Sequence, residues 1–421
     1  MKKILLLSLL IFVSTLGVSS HEVKPNSQDI QFYYIKARDF KTPSREVRTE
    51  AGKALIEVIN KAQKSIDFAF YGLSGQDEIL NALINAQKRG VNIRGIVDKN
   101  IENKNDYSGT EYSIQKLGEN VIKTDYIAEI EKLNKIKNKE IDFKYDFFKG
   151  HIMHNKFCII DDEIVWTGTV NISSTGTGGF NENNACLIRS KNFAQVFKKE
   201  FEQMYVNELF HENKISIYSK KININDANID VYFSPNNKII DTVILPAIEN
   251  AQNYIYLSMF LITDRKITKG LIDAHNRGVE IKMIIDAHHA QQPYTKHEVL
   301  RNAGIKIKVE DWAGKMHAKT VIIDDKTVIT GSANWTYSAF KHNDENLLVF
   351  KNIPNEAKFL KKQFEKSWKS ISNKWLYANP QPEGRDSRYS CSDEIFLVTF
   401  YKTSSKSQTG GIFRVPPVGF Y

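Results

Sequence analysis

Two windows of the chain share one rhythm of apolar and polar positions. They run from Ala54 to Asp98, ALIEVINKAQKSIDFAFYGLSGQDEILNALINAQKRGVNIRGIVD, and from Thr242 to Asp286, TVILPAIENAQNYIYLSMFLITDRKITKGLIDAHNRGVEIKMIID. In each, apolar residues recur at helical spacing, then form a short run, then repeat both patterns, which predicts helix, strand, helix, strand. Gly90 and Gly278 sit where the second helix should stop. Alternating strands and helices place the chain in the α/β class with mixed sheets. The internal repeat divides it into two pseudo-symmetric halves, about Ile30 to Asn225 and Asp226 to Ser370.

A second pair of apolar runs carries polar residues in a matched register. Phe157 to Ile160 and Thr320 to Ile323 read as buried strands. Each lies inside a pattern His-x-Lys-x4-Asp-x6-Gly-(Ser/Thr)-x-Asn, between its Lys and its Asp. The first copy is His154, Lys156, Asp161, Gly168, Thr169 and Asn171, and the second is His317, Lys319, Asp324, Gly331, Ser332 and Asn334. A carboxylate, Glu182 or Glu345, follows each histidine by 28 residues, and an asparagine, Asn183 or Asn346, follows it. Alternate residues of a strand share a face, so each His and its Lys point the same way.

These residue types suit one chemistry. A phosphodiester carries negative charge on its non-bridging oxygens, so cleavage needs fixed cationic donors, here Lys156 and Lys319. Asn171 and Asn334 add neutral donors, and Thr169 and Ser332 are candidate substrate-binding hydroxyls. Two histidines allow one to attack while the other protonates the leaving oxygen. Glu182 and Glu345 are each expected to accept from the far ring nitrogen of a histidine, fixing its tautomer and stabilising its charged form.

The paired motif resembles that of the phospholipase D superfamily, over about Ile30 to Trp368. The resemblance implies two phospholipase D-type α-β-α sandwich halves facing each other across a pseudo-two-fold axis, with one metal-free, cofactor-free active site between them. It implies a ping-pong reaction: a histidine attacks phosphorus, a phosphohistidine forms, and water or an alcohol releases it. Analogy with two-motif members puts the nucleophile at His154 and the general acid at His317, although the symmetry alone does not order them. The same resemblance makes Asp161 and Asp324 structural. Thr169 in place of a serine is a mild departure.

Other histidines have competing readings. His151 forms an HxxH pair with His154, but no third ligand follows at zinc spacing, so a flanking loop histidine is expected. His288 and His289 follow a predicted strand and either line the cleft or belong to a surface loop.

The ends and the insertion add an address and a substrate question. Lys2 and Lys3 precede an apolar run, Ile4 to Val13 and on to Val18, then Ser19 and Ser20. This predicts a cleavable secretory signal over residues 1–20 and a secreted or periplasmic protein. Ser14, Thr15 and Gly17 interrupt the run and disfavour a retained membrane anchor. The first half is about 25 residues longer than the second between its Asp98 and His154, mostly from Asp125 to Gly150. There Ile127, Ile130, Leu133 and Ile136 recur beside lysines and lead into Phe143, Tyr145, Phe147 and Phe148. The element reads equally as a lid or surface contact and as a helix packed on its own domain. The tail, 371–421, is rich in Ser, Gly and Pro and reads as a small hairpin or a flexible extension.

With 42% hydrophobic and 25% charged residues the chain suits a globular protein with a large core rather than a disordered one. Its formal charge, +9, suits phospholipid surfaces and nucleic acids alike. Cys158 and Cys186 align with Val321 and Val349 in the second copy, which makes them core positions; Cys391 lies in the tail. The leading expectation is an exported, metal-independent phosphodiesterase of the phospholipase D type acting on phosphatidylcholine-type phospholipids as a monomer, without an obligate protein partner. A secreted nuclease cleaving DNA or RNA is the second, and a non-enzymatic nucleic-acid or envelope-binding protein the third. Trp312 and Trp335 are candidates for an apolar approach to the cleft.

Overall fold

The computed structural model describes residues 29–98, 107–123, 151–236 and 238–380. The expected signal, the insertion 125–150 and the tail beyond residue 380, with Cys391, lie outside the described residues.

The predicted helix–strand–helix–strand units form in both halves. Helix Glu50–Lys61 starts where the Thr49 side chain accepts from the Gly52 N–H, and buries a stripe of Ala51, Leu55, Val58 and Ile59. Helix Arg265–Asn276 is capped in the same way by Asp264 and buries Ile267, Leu271 and Ala274. The glycines that follow helices Asp77–Lys88 and Arg265–Asn276 take φ of 90° and 95°, a turn that a side chain would strain.

The first half holds strands β1 (Ile30–Ile35), β2 (Ser65–Phe70), β3 (Asn92–Val97), β4 (Val121–Lys123), β5 (Lys156–Ile160), β6 (Ile164–Gly168) and β7 (Asn183–Arg189). They form one sheet in the order β1-β7-β6-β5-β2-β3-β4. The second sheet contains β8 (Tyr218–Ile224), β9 (Ala227–Ser234), β10 (Tyr254–Met259), β11 (Glu280–Ile285), β12 (Lys306–Val309), β13 (Lys319–Ile323), β14 (Thr327–Gly331) and β15 (Glu345–Lys351). Its order, β12-β11-β10-β13-β14-β15-β9-β8, is that of the first sheet read from the other edge, with β8 added. In each sheet three strands pair in parallel and the rest are antiparallel. The division expected at residue 225 therefore falls inside the second sheet: Asn225, with φ of 53°, turns β8 into its antiparallel partner β9.

The sheets share a core. Phe157, Phe193 and Phe197 from the first half pack with Phe233, Ile322, Leu348 and Phe364 from the second in one apolar layer. Across it Phe197 meets Phe233 edge-on at 5.0 Å, and Phe32 meets Phe350 at 5.0 Å. Truncating one such phenylalanine to Ala costs about 3–5 kcal/mol, so the two halves support each other's stability. Separate outer layers lie under helices Glu50–Lys61 and Asp77–Lys88 on one side and under helix Arg265–Asn276 on the other. Buried amides cross the centre: the Thr320 hydroxyl donates to Asn184 Oδ1 at 2.5 Å, and Asn346 Nδ2 donates to Asn155 Oδ1 at 3.0 Å. Among the described residues no helix is long and apolar enough to cross a membrane.

The repeat slips by one residue at its last strand. Lys156 on β5 corresponds to Lys319 on β13, but Gly168 pairs with Ala185 whereas Gly331 pairs with Leu347. The loop before β7, 169–182, is one residue longer than the loop before β15, 332–344. Asn183, not Glu182, is thus the counterpart of Glu345, and Cys186 is the counterpart of Leu348 rather than Val349. Cys158 and Cys186 are buried and free.

Candidate active site

Each motif enters its strand pinned to the opposite half. The His154 N–H donates to the Asp344 carbonyl at 2.9 Å, and the Asp344 N–H to the Ile152 carbonyl at 3.0 Å. In the same way His317 N–H donates to the Glu182 carbonyl at 2.9 Å and Glu182 N–H to the Lys315 carbonyl at 2.8 Å. Asp98, at the end of β3, fixes the first segment further by accepting from the Met153 N–H at 2.6 Å. The backbone at both histidines is therefore held from two directions.

Strands β7 and β15 carry the groups that orient the imidazoles. Both Glu345 carboxylate oxygens lie 2.8 Å from His154 Nδ1, with both side chains almost fully buried. On the other side His317 Nδ1 lies 2.8 Å from Asn183 Oδ1, which also accepts from the Thr169 hydroxyl at 2.8 Å. Both acceptors place the ring proton on Nδ1 and leave Nε2 for chemistry. Gly168 and Gly331 permit this approach: a Cβ on them would stand 2.4 Å from Asn184 O and 2.3 Å from Asn346 O, at φ of 153° and 141°.

The lysines complete a cationic centre. Lys156 Nζ donates to the His154 carbonyl at 2.6 Å and stands 5.2 Å from the centre of the Tyr71 ring. Lys319 Nζ donates to the His317 carbonyl at 2.8 Å, lies 3.2 Å from His317 Nε2, and stands 4.7 Å from the Phe260 ring centre. Tyr71 and Phe260 also contact His154 and His317 edge-on or tilted, at 5.2 and 4.8 Å between ring centroids. Burial, then the charges of Lys319, Lys156 and Lys315, hold the His317 imidazolium well below its usual range. Each histidine is oriented by a residue of the other half, His154 by Glu345 and His317 by Asn183, which puts both motifs in one site.

Not every expected residue takes its expected place. The Glu182 carboxylate orients neither motif histidine; it accepts from the Tyr34 hydroxyl, from the Ser367 hydroxyl at 2.6 Å and from the Ala37 N–H at 3.4 Å. The extra loop residue carries it past the position that Asn183 fills, and burial pushes its pKa up. Thr169 and Ser332 are fully buried and their hydroxyls bind the neighbouring strand rather than the cleft: Thr169 engages Asn183 and Asn184, and Ser332 accepts from the Asn346 N–H at 2.9 Å. Asn171 and Asn334 stand on the loops leaving β6 and β14, buried, with Asn171 Oδ1 lacking a hydrogen-bond partner. Asp161 accepts from the backbone N–H groups of Gln63, Lys64 and Ser65, and Asp324 from those of Gln252, Asn253 and Tyr254, at the opposite end of the strands. Trp335 is buried in the outer core and Trp312 lies in the central layer under Arg38, so neither provides an exposed apolar approach.

Sequence reasoning passed over three participants. Asn183 was visible only as the residue after Glu182. Tyr71 and Phe260 merge into apolar runs, although both close the first strand of their repeat. His289 is buried edge-on against Phe260 at 4.3 Å, its Nδ1 has no hydrogen-bond partner, and its charge would act on His317.

Comparisons with known proteins agree with this geometry. The model of a family described as cardiolipin synthase, phospholipase D-like domain, matches residues 55–205 and 244–368, one match in each half. A phospholipase D of Rickettsia prowazekii is 30% identical over 175 residues, 40% of this chain and 84% of that protein. A mitochondrial cardiolipin hydrolase of Xenopus laevis is 30% identical over 135 residues, 32% of this chain and 64% of that protein. Another phospholipase D, from Rickettsia bellii, is matched over 52% of its length, so the chain spans only about half of some relatives. The crystal structure of a phosphatidylserine synthase from Haemophilus influenzae superposes with a TM-score of 0.58 at 13% identity, covering 85% of this chain and 90% of that one, which supports the fold. With a family match over well more than half its length and the paired histidine–lysine motifs facing one another, the chain belongs to the phospholipase D superfamily of phosphodiesterases.

Proposed function

We propose that the protein is an exported phospholipase D that hydrolyses glycerophospholipids of the phosphatidylcholine type to phosphatidate and the head-group alcohol. The observation that carries the mechanism is the unequal support of the two histidines: a carboxylate behind His154 and a neutral amide behind His317. An imidazole attacking phosphorus through Nε2 becomes cationic while it keeps its Nδ1 proton. Glu345 stabilises that cation, which makes His154 the nucleophile.

The steps then follow from the positions of the groups. Lys156, Lys319, Asn171 and Asn334 hold the non-bridging oxygens. The bound phosphodiester anion offsets the lysine charges that depress His317, so His317 takes up a proton on Nε2. His154 Nε2 attacks phosphorus, the phosphorus–oxygen bond to the head group breaks, and His317 gives its proton to the departing oxygen. Neutral His317 next accepts a proton from water as that water attacks the phosphohistidine, releasing phosphatidate and restoring His154. Every group in these steps comes from one chain, which supports a monomer as the active form. Export rests on the signal pattern of Lys2, Lys3 and the apolar run to Val18.

The formal charge of +9 favours a second reading, a secreted nuclease, because cationic surfaces also attract nucleic acid. Incubation of the protein in EDTA with phosphatidylcholine vesicles, or with single-stranded DNA, separates the two. Choline release that is absent in His154→Ala supports the lipid reading; DNA cleavage without choline release replaces it with the nuclease.

A further inference from the structure

We propose that His151, Glu212 and His342 bind a divalent transition-metal ion, with zinc the best match, at the seam between the halves and apart from the catalytic histidines. Their donor atoms all lie within 4.8 Å of one another. Two imidazoles and one carboxylate form a donor set that holds zinc and leaves a fourth position for water.

The geometry is close to that of a bound ion. Glu212 Oε2 lies 3.4 Å from His151 Nδ1, about the ligand–ligand edge of a tetrahedron with zinc bonds of about 2.0–2.1 Å. Glu212 Oε1 lies 2.6 Å from His342 Nδ1, where a shared proton now holds the pair and a metal would displace it. The two imidazoles stack at 4.4 Å with planes 11° apart, so one ring turns about its Cβ–Cγ bond to bring both lone pairs onto one ion. His342 is the ring with that freedom. It follows the short helix Tyr337–Lys341 and its side chain is 32% exposed, against 11% for His151.

The three ligands come from three segments. His151 lies three residues before His154, His342 three residues before Glu345, and Glu212 on the turn His211–Asn213 that links the halves. An ion here would fasten together the two segments that present His154 and Glu345. The HxxH spacing of His151 and His154 therefore pointed to the wrong partner: His151 finds its co-ligands 61 and 191 residues further on. The ion takes no part in phosphoryl transfer, so its test needs no substrate.

Untagged full-length protein, stripped of metal, is titrated with zinc chloride by calorimetry and by thermal unfolding, beside Glu212→Gln, His342→Ala and His342→Cys. The expected result is one zinc per chain with a raised Tm in the wild type and in His342→Cys, which keeps a donor. Affinity should fall roughly tenfold or more in the other two variants, with each zinc-induced rise in Tm measured from that variant's own metal-free value. Absence of zinc binding by the wild type, or equal binding by Glu212→Gln and His342→Ala, overturns the proposal.

Discussion

Asn183 occupies against His317 the position that Glu345 occupies against His154, each 2.8 Å from the Nδ1 of a histidine in the opposite half. One site thus contains a carboxylate-backed imidazole and an amide-backed one. Glu345→Gln keeps the shape but removes the charge that stabilises the His154 cation, and should lower kcat by about 10²–10⁴ with little change in KM. Asn183→Asp should instead raise the proton affinity of His317 and move the pH limb it sets upward. Profiles of kcat/KM against pH for both variants decide the matter; equal effects of the two changes would contradict the assigned roles.

The order of the histidines is testable with leaving groups. An aryl phosphodiester releases a stable phenolate and needs little help from an acid, whereas an alkyl ester needs a proton. His317→Ala should therefore retain a burst of phenolate release and accumulate a phosphoenzyme that survives an alkaline denaturing quench and is lost in acid, but lose turnover of alkyl esters. His154→Ala should lose both reactions. A burst in His154→Ala that is missing in His317→Ala reverses the assignment.

Much of the architecture was readable because it rests on periodicity. The helix–strand–helix–strand windows and the apolar runs after His154 and His317 come in matched pairs, one to each half, and the sheets follow them. The orienting groups were harder to read. Counting 28 residues from each histidine pairs Glu182 with Glu345, while the folded chain pairs Asn183 with it, because strand register depends on the length of loop 169–182. A one-residue slip turns a strand side chain to the other face, so spacing alone was bound to err there. Tyr71 and Phe260 escaped for a different reason: in a linear sequence an aromatic residue that covers a lysine looks like any core residue. A hydroxyl in a motif suggests a ligand, which makes Thr169 and Ser332 look substrate-binding in the sequence, whereas each accepts a backbone N–H of the adjacent strand, from Asn184 on β7 and Asn346 on β15.

The motif aspartates support the fold rather than the chemistry. Asp161 and Asp324 each accept three backbone N–H groups at the turn into β2 or β10, with φ of 53° and 52°. Burial opposes the charge on Asp161, but those backbone donors prevail and lower its pKa. Asp324→Ala should destabilise the protein by about 1–3 kcal/mol, seen as a lower denaturant midpoint, while kcat of the folded fraction stays unchanged. A large fall in kcat at full stability would place Asp324 in the mechanism.

Buried neutral histidines predict how stability responds to acid. Burial pushes His289 down to about 3, against an opposing contribution from Asp286, and burial with three lysines lowers His317 as well. Their folded-state pKa values lie below the unfolded value near 6.5, so between the two the unfolded chain binds more protons than the folded one. Stability is therefore fully present above about pH 6.5 and is lost as pH falls toward the folded values, with each such histidine adding a slope of about 1.4 kcal/mol per pH unit. His289→Asn removes one of these groups and should make unfolding free energy fall less steeply below pH 6.5 by about that amount. Denaturant titrations of both proteins at intervals from pH 7 to about pH 4 measure the two slopes, and parallel lines would mean that His289 is protonated in the folded protein.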